Sequence, residues 1–183
     1  MEVKNLSLSG LKLIIPKVFK DDRGFFLESY KENDYILNGV VGKAGWVQEN
    51  HSRSLQRVVR GIHYQANPGQ TKLVRCSQGA IIDVVVDLRP DSETFGQYEK
   101  IFLDGDSHHQ LLVPIGFGHS FVVLSATADV QYKVDSYYNG AEEKTLQWND
   151  KDLNIDWEIN NPIVSERDQN GQSFAEFKLK HGF

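Results

Sequence analysis

The stretch G-A-I-I-D-V-V-V-D-L-R (79–89) decides the fold, because apolar and acidic residues alternate within it. Successive side chains of a β-strand point to opposite faces. An extended chain therefore places Asp83, Val85 and Asp87 on one face and an unbroken apolar set on the other: Ile82, Val84, Val86 and Leu88. The apolar face is expected to pack in a core. The acidic face needs partners, as it would in the polar lumen of a barrel.

Short β-type runs continue on both sides of this strand, with turn residues between them. The pattern predicts strands at 11–19, 24–30, 45–52, 72–76, 80–88, 100–104, 110–114, 119–125 and 129–135. Such short, regularly spaced strands are typical of a sandwich or barrel and not of βαβ units. A short helix is expected within 28–39, ended by Gly39, and residues 169–183 are expected to form a weak helix or a docked polar arm. The sequence therefore predicts one all-β domain over 1–183.

Composition limits the class of protein. The 183 residues carry 20 basic and 25 acidic side chains, a net charge of −5, and 40% of them are apolar. This length and apolar content suffice for one core, and the mildly acidic balance gives no overall attraction for nucleic acid. A single cysteine, Cys76, excludes an internal disulfide. We find neither a leader pattern nor an apolar run of bilayer length and therefore expect a cytoplasmic protein without membrane insertion.

Titratable residues are densest in V-V-R-G-I-H-Y-Q-A-N-P-G-Q-T-K-L (58–73), which contains Arg60, His63, Gln65 and Lys72. Histidine titrates near neutral pH and suits a general base, whereas arginine suits a phosphate or carboxylate. The alternative for His63 is a structural histidine in a satisfied hydrogen-bond network. The segment is nevertheless the strongest candidate for a site.

Three further groups extend this candidate site. We expect Lys72 to form an ion pair with Asp83, which is either structural or fixes a positive charge against a substrate oxygen. His119 directly follows a glycine-rich turn. Tyr132 shares a strand face with Val130 and Val134, so its phenol is able to enter a pocket and to transfer a proton, although a core position is the simpler interpretation.

Metal and nucleophilic chemistry receive little support from the sequence. His63-Tyr64-Gln65 lacks the paired histidines of metal-binding barrels, and the adjacent His108 and His109 point to opposite faces of an extended chain. Cys76 lies in an apolar strand, where a thiol is normally inert. We therefore expect no metal and no cofactor.

Ten motifs in order resemble the dTDP-4-dehydrorhamnose 3,5-epimerase family over residues 10–168. They are D-D-R-G-F-F-L-E-S-Y (21–30), V-Q-E-N-H-S (47–52), V-R-G-I-H-Y-Q (59–65), Q-T-K-L-V-R (70–75), G-A-I-I-D-V-V-V-D-L-R (79–89), T-F-G (94–96), Q-L-L-V-P-I-G-F-G-H-S-F (110–121), Y-K-V (132–134), W-N-D (148–150) and S-E-R-D (165–168). The resemblance implies a metal-free, cupin-type β-jelly-roll. It also implies a homodimer in which an N-terminal strand of one subunit completes the site of the other.

The resemblance implies a reaction in dTDP-L-rhamnose biosynthesis, the inversion of carbons 3 and 5 of dTDP-4-keto-6-deoxy-D-glucose. His63 would be the base, oriented by Asp168. Lys72, fixed by Asp83, would stabilise the enolate oxygen, and Tyr132 would return a proton from the opposite face. His119 would line the sugar pocket.

Substrate binding is also implied by the resemblance. The diphosphate would meet Arg60, Arg167 and, from the neighbouring subunit, Arg23. The nucleotide would be surrounded by Gln48, Asn50, Phe26, Glu28 and Tyr138. From the residues alone, Arg23-Gly24 equally fits a simple turn and Phe26 a core residue.

Three positions depart from the family's usual pattern. Ser120 follows the pocket histidine where the family has glycine, Arg167 replaces a lysine, and His109 stands where arginine or lysine is common. They leave open the exact nucleotide and the number of carbons inverted. The alternatives are an epimerase acting at carbon 3 or carbon 5 alone, a non-catalytic sugar-nucleotide-binding cupin, and a metal-dependent cupin enzyme.

Overall fold

The computed structural model describes residues 1–42 and 45–181. Strands dominate these residues, and helices are few and short. The strands are β1 (Glu2–Asn5), β2 (Lys12–Ile15), β3 (Val18–Asp21), β4 (Gly24–Leu27), β5 (Gln48–Leu55), β6 (Val58–Gln65), β7 (Lys72–Gln78), β8 (Ala80–Asp87), β9 (Tyr98–Asp104), β10 (Gln110–Val113), β11 (Phe117–Val123), β12 (Thr127–Val134), β13 (Glu143–Thr145) and β14 (Ile163–Val164). The helices are α1 (Glu32–Leu37), α2 (Glu166–Gln169) and α3 (Phe174–Lys180).

The strands form two facing sheets and a separate hairpin. Sheet one has the order β1-β2-β10-β7-β12-β5. Sheet two has the order β13-β6-β11-β8-β9, and β14 pairs in parallel with β6. Strands β3 and β4 pair only with each other. The predicted all-β class is therefore confirmed, in the form of a two-sheet jelly roll.

Alternation along β8 explains how the layers pack. Val85 lies in the cluster between the sheets, together with Val74 of sheet one. Val84 points to the other side, where it is buried with Trp157. Both faces of β8 are thus covered, and helix α1 covers part of the outer face of sheet one through Tyr35.

The sequence pattern does not predict β6, because Arg60, Gly61 and His63 interrupt its apolar residues. The helix expected within 28–39 is confirmed as α1. The C-terminal segment docks through α3, which buries Phe174 and Phe177 and begins with a capping box. The expected tail extends to residue 183, and its last two positions lie outside the described residues.

Candidate active site

A β-bulge in β6 creates the centre of the site. Residues three apart normally face opposite sides of a strand, yet Arg60 and His63 both line one cavity. The register of β6 against β11 pairs His63 with His119 but Arg60 with Phe121, so β6 contains one extra residue. Gly61 lies in this bulge with a φ of +119°, and a Cβ there would come within 2.5 Å of the Cβ of Ser120.

The cavity has a volume of about 340 Å³ and lies between the inner faces of the two sheets. Sheet two contributes His63 and His119, whereas sheet one contributes Lys72 and Tyr132. The histidines therefore face the lysine and the phenol across the cavity. The complete lining is Gln48, Asn50, Ser52, Arg60, His63, Gln70, Lys72, His119, Phe121, Tyr132, Tyr138 and Glu143.

A carboxylate lies directly behind His63. The distance from His63 Nε2 to Asp168 Oδ1 is 2.6 Å, and Asp168 is buried. Helix α2 fixes this carboxylate, because Ser165 accepts a hydrogen bond from the Asp168 N–H, and Oδ2 accepts one from the Gly61 N–H. Burial raises the pKa of Asp168, but its hydrogen bond to His63 and its attraction to that ring outweigh burial and leave the pKa below its usual value. Asp168 is therefore an ionised partner for His63.

The expected ion pair between Lys72 and Asp83 is wrong. Asp83 Oδ2 lies 2.9 Å from His119 Nε2, and no salt bridge between Asp83 and Lys72 occurs within the described residues. The reason is topological. Lys72 lies on β7 of sheet one and Asp83 on β8 of sheet two, so the two strands are not neighbours. Asp83 still affects Lys72 without direct contact, because its negative charge raises the pKa of the lysine.

Lys72 is half-buried and faces the cavity. Burial lowers the pKa of its ammonium group to about 8, although the negative charges of Glu143 and Asp83 oppose this effect. Tyr132 lies across from Asn50 in the register of β12 and β5. Burial and the charge of Glu143 raise the pKa of the Tyr132 phenol. Tyr132 therefore keeps its proton near neutral pH, as an acid must.

Glu143 organises the mouth of the cavity, and sequence reasoning missed it. Its Oε2 accepts a hydrogen bond from Tyr138 Oη at 2.9 Å and pairs with Arg167 Nη1 at 2.8 Å. Gln48 accepts a hydrogen bond from the Tyr138 N–H. Glu143 belongs to β13, a strand of three residues with no alternating pattern. Its pairing with β6, opposite Gln65, brings it to the site.

The other missed lining residues are Ser52, Gln70 and Phe121. Ser52 lies on the same face of β5 as Asn50, so the alternation of that strand was the signal that could have found it. Gln65, by contrast, is not a lining residue. It accepts a hydrogen bond from the Asn139 N–H and donates one to Ser136, and so holds the loop beside Tyr138.

Four predicted binding residues are not part of the cavity lining. Arg167 lies beside the mouth, where it pairs with the lining residue Glu143, and the other three belong to the β3–β4 hairpin or follow it. Arg23 is at the turn of the β3–β4 hairpin and pairs with Asp21 at 2.6 Å. Phe26 is 65% exposed and so is not a core residue. Glu28 follows the hairpin and lies 3.8 Å from Lys31 Nζ. The hairpin does not bring these residues to the site of its own chain.

Two other sequence interpretations have structural outcomes. The Ser120 hydroxyl does not face the pocket next to His119, because neighbouring strand residues point to opposite faces, and it donates to the Val84 carbonyl at 3.0 Å. Cys76 is buried, and burial raises the pKa of its thiol to about 11, as expected for an inert core cysteine.

The described residues contain neither a metal-binding cluster nor a membrane-spanning helix. Residues 1–42 and 45–181 contain no group of three or more His, Cys, Asp or Glu side chains arranged to hold a metal ion. None of the helices found in these residues has the length and apolar content that crossing a bilayer requires.

Comparison with known proteins identifies similar chains. Residues 5–176 match the sequence profile of the family described as dTDP-4-dehydrorhamnose 3,5-epimerase. The dTDP-4-dehydrorhamnose 3,5-epimerase of Shigella flexneri is 43% identical over 178 residues, which cover 96% of this chain and 97% of that protein.

Solved structures with similar folds contain related ligands. The Bacillus anthracis dTDP-4-dehydrorhamnose 3,5-epimerase, with TDP and PPi bound, is 44% identical with a TM-score of 0.90, over 94% of this chain and 98% of that one. A Legionella pneumophila dTDP-6-deoxy-D-glucose-3,5-epimerase, in complex with dTDP-4-keto-L-rhamnose, is 38% identical with a TM-score of 0.90, over 96% of both chains.

Proposed function

The chain belongs to the dTDP-4-dehydrorhamnose 3,5-epimerase family, and on this premise we propose how its cavity inverts carbons 3 and 5 of a dTDP-linked 4-keto-6-deoxy sugar. The protein is an isomerase with the cupin-type jelly roll of its structural relatives. Residues 1–183 act in this proposal as one catalytic domain. We place its activity in the cytoplasm, since one cysteine suits a reducing compartment.

The chemistry begins at the substrate ketone on carbon 4. Loss of a proton from an adjacent carbon gives an enolate whose negative charge is on the ketone oxygen. In the proposal His63 removes the proton and Asp168 stabilises the resulting imidazolium. The Lys72 ammonium group stabilises the enolate oxygen. Tyr132 then protonates the same carbon from the other face, which inverts it.

One observation carries this assignment: the His63–Asp168 pair lies on the opposite side of the cavity from Tyr132. A base and an acid on the same side would return the proton to the face from which it came. Their location on separate sheets supports removal from one face and delivery to the other.

Substrate binding is proposed at the cavity mouth. Arg60 and Arg167 offer guanidinium groups to the diphosphate, and Tyr138 offers an aromatic face to the nucleobase. Gln48 and Asn50 line the same end on the edge strand β5. His119 and Asp83 support the sugar subsite.

We propose a homodimer in which each hairpin completes the partner's site. Phe25 and Phe26 are 59% and 65% exposed, an unusual amount of uncovered aromatic surface. Strand β5 is the last strand of sheet one, and pairing of a partner's hairpin along it would cover this edge. The same pairing would bring Arg23, Phe26 and Glu28 to the mouth of the cavity.

Deuterium exchange tests the proposed reaction. The protein is incubated with dTDP-4-keto-6-deoxyglucose in deuterated water, and label at carbons 3 and 5 is counted by NMR. Label at both carbons, lost in His63→Ala, is expected. Label at one carbon would contradict double inversion, and label at neither would contradict epimerisation of this sugar.

Mixing two inactive variants tests the shared site. Arg23→Ala damages the hairpin, and His63→Ala damages the catalytic centre. After subunit exchange at equal concentrations, mixed dimers would each contain one intact site, so about a quarter of the wild-type activity is expected to return. No recovery, with exchange verified by mass spectrometry, would contradict hairpin sharing.

A further inference from the structure

We propose that His108 positions the β3–β4 hairpin for the neighbouring subunit: its ring supports one face of the hairpin, and the opposite face is presented to the partner's site. The inference rests on the proposed homodimer, in which each hairpin completes the site of the other subunit. His108 is a positioning residue in this account, because it does not line the cavity of its own chain.

The β3–β4 hairpin has few attachments to its own subunit. Its two strands pair only with each other. Across residues 1–42 and 45–181, no hydrogen bond or salt bridge joins Val18–Leu27 to another element of the fold. Just after the hairpin, the buried Gln110 donates a hydrogen bond to the carbonyl of Ser29 at 2.8 Å. The base of the hairpin is therefore fixed, whereas its outer part depends on packing.

An aromatic contact supports the outer part of the hairpin. The ring centroids of Phe25 and His108 lie 4.3 Å apart, with 41° between the ring planes. Among the aromatic ring pairs of the described residues, this pair alone joins the hairpin to the rest of its subunit. Phe26 points to the opposite face of β4, where it lies 6.5 Å from Phe19 and is 65% exposed. His108 thus supports one face and leaves the face with Phe26 uncovered.

The loop between β9 and β10 holds His108 in a defined place. The Asp104 carboxylate accepts hydrogen bonds from the backbone N–H groups of Asp106 at 3.0 Å and Ser107 at 2.6 Å. His108 itself has a φ of +58°, in the left-handed region that glycine adopts more easily. The imidazole is therefore present at a conformational cost to the loop, and its contact with the hairpin accounts for it.

The His108 ring is electrically neutral at neutral pH. Burial lowers the pKa of His108 below its ordinary value, and the positive charges of Lys20 and Arg75 lower it further. The negative charges of Asp106 and Asp104 oppose this effect without reversing it. The contact with the hairpin therefore uses an uncharged aromatic ring, so we expect tyrosine to substitute for the histidine.

A displaced hairpin would affect substrate binding in the partner's site and not the proton transfers. Arg23 and Phe26 of the hairpin are proposed to contact the nucleotide, whereas His63 and Tyr132 belong to the chain that forms the cavity. Aromatic contacts typically change an equilibrium constant about 2- to 13-fold. Loss of the His108 ring in one chain is therefore expected to raise KM at the other chain's site and to leave kcat nearly unchanged.

Mixed dimers with a single active site test the inference. In a mixture of His63→Ala and Arg23→Ala chains, the first chain donates an intact hairpin and the second chain contains the intact catalytic centre. His108→Asn is then added to one chain or to the other. Asparagine tolerates a positive φ, so this change removes the aromatic ring and keeps the conformation of the loop.

The two placements have different expected results with dTDP-4-keto-6-deoxyglucose. In the chain that donates the hairpin, His108→Asn should raise KM about 3- to 10-fold and leave kcat within about twofold. In the chain with the catalytic centre, both constants should stay within about 1.5-fold. Two controls are placed in the hairpin-donating chain: His108→Tyr, which keeps a ring, and His109→Asn, a change at the neighbouring residue. Both should leave KM within about twofold.

The other outcomes separate failure of this inference from failure of the proposed dimer. Equal rises in KM for both placements would mean that His108→Asn loosens the subunit in general, and a rise of less than twofold for both would mean that the ring does not position the hairpin. A rise only in the chain with the catalytic centre would mean that His108 acts on its own site. Each of these results overturns the inference. If the parent mixture regains no activity after verified subunit exchange, the proposed dimer fails and the inference fails with it, while deuterium labelling by the wild type still tests the reaction.

Discussion

Replacement of Asp168 by asparagine would remove the charge behind His63 while leaving the shape of the side chain nearly unchanged. The carboxylate is buried and lies 2.6 Å from the ring. Its pKa is held below the usual range, so in the wild type it is ionised at every pH above about 4. The substitution therefore acts at neutral pH on the stability of the His63 imidazolium, which forms only as the proton is removed.

The size of the effect follows from the geometry. Two unit charges about 4 Å apart attract by about 4 kcal/mol at an effective dielectric constant near 20. Hydrogen bonds to charged groups are worth about 1.5–3 kcal/mol after the cost of desolvation. Because about 1.4 kcal/mol corresponds to a factor of ten in rate, the range for the hydrogen bond predicts that kcat falls roughly 10- to 150-fold.

Steady-state kinetics with the 4-keto sugar nucleotide would measure this loss. KM is expected to stay within about threefold, because Asp168 lies behind the ring and does not line the cavity. Thermal unfolding is the control, since Asp168 also accepts a hydrogen bond from the Gly61 N–H. A fall in kcat of less than fivefold, with folding intact, would refute the role of Asp168 as the charge partner of His63.

Four further changes have expected outcomes. In a plot of kcat against pH, the loss of activity at alkaline pH should have a pKa near 8, because Lys72 loses its proton there. In Lys72→Arg this loss should move to higher pH. If it does not move, another group causes it. Gly61→Ala should lower the free energy of unfolding, measured by urea titration, by about 3 kcal/mol or more, because the new Cβ would lie 2.5 Å from the Cβ of Ser120. A smaller loss would contradict a rigid bulge. Burial raises the pKa of Asp87, but hydrogen bonds from Arg89, Ser92 and Thr94 outweigh burial and lower the pKa to about 2. The ionised carboxylate therefore stabilises the fold fully above about pH 4, and this stabilisation is lost as the pH falls towards 2. Asp87→Asn should therefore cost about 2 kcal/mol at pH 7 and flatten that acid decline, and an unchanged decline in the variant would contradict this origin. Tyr138→Ala should weaken dTDP binding by about 10- to 100-fold in calorimetry, whereas Tyr138→Phe should bind within about threefold; equal losses would assign the effect to the hydroxyl group.

Local periodicity explains what could be predicted from the sequence. The alternation in β8 and β12 gives the correct faces for Asp83 and Tyr132, because side-chain direction in a strand depends only on position. The roles assigned to His63, Asp168 and the other predicted site residues remain predictions that the experiments above address.

Long-range pairing explains what could not be predicted. The placement of β7 and β8 in different sheets depends on closure of the whole fold. Local pattern does not contain this information, so the sequence predicts Lys72 as the partner of Asp83, whereas the structure places His119 there. Glu143 reaches the site through a strand of three residues that has no recognisable pattern. Arg60 and His63 lie on one face because of a bulge. Strict alternation with a period of two residues would place side chains three positions apart on opposite faces.

The bulge in β6 also bears on how this gene can change. Deletion of the single codon for Ile62 would restore strict alternation and still keep Arg60 and His63 on the cavity face, because residues two apart in a strand share a face. The cost of the deletion would fall on the packing behind the sheet, where the fully buried Ile62 contacts the cluster of Val86 and Leu88. A relative that is one residue shorter between the arginine and the histidine would therefore keep the shared pocket, so a difference in length at this point does not by itself mark its loss.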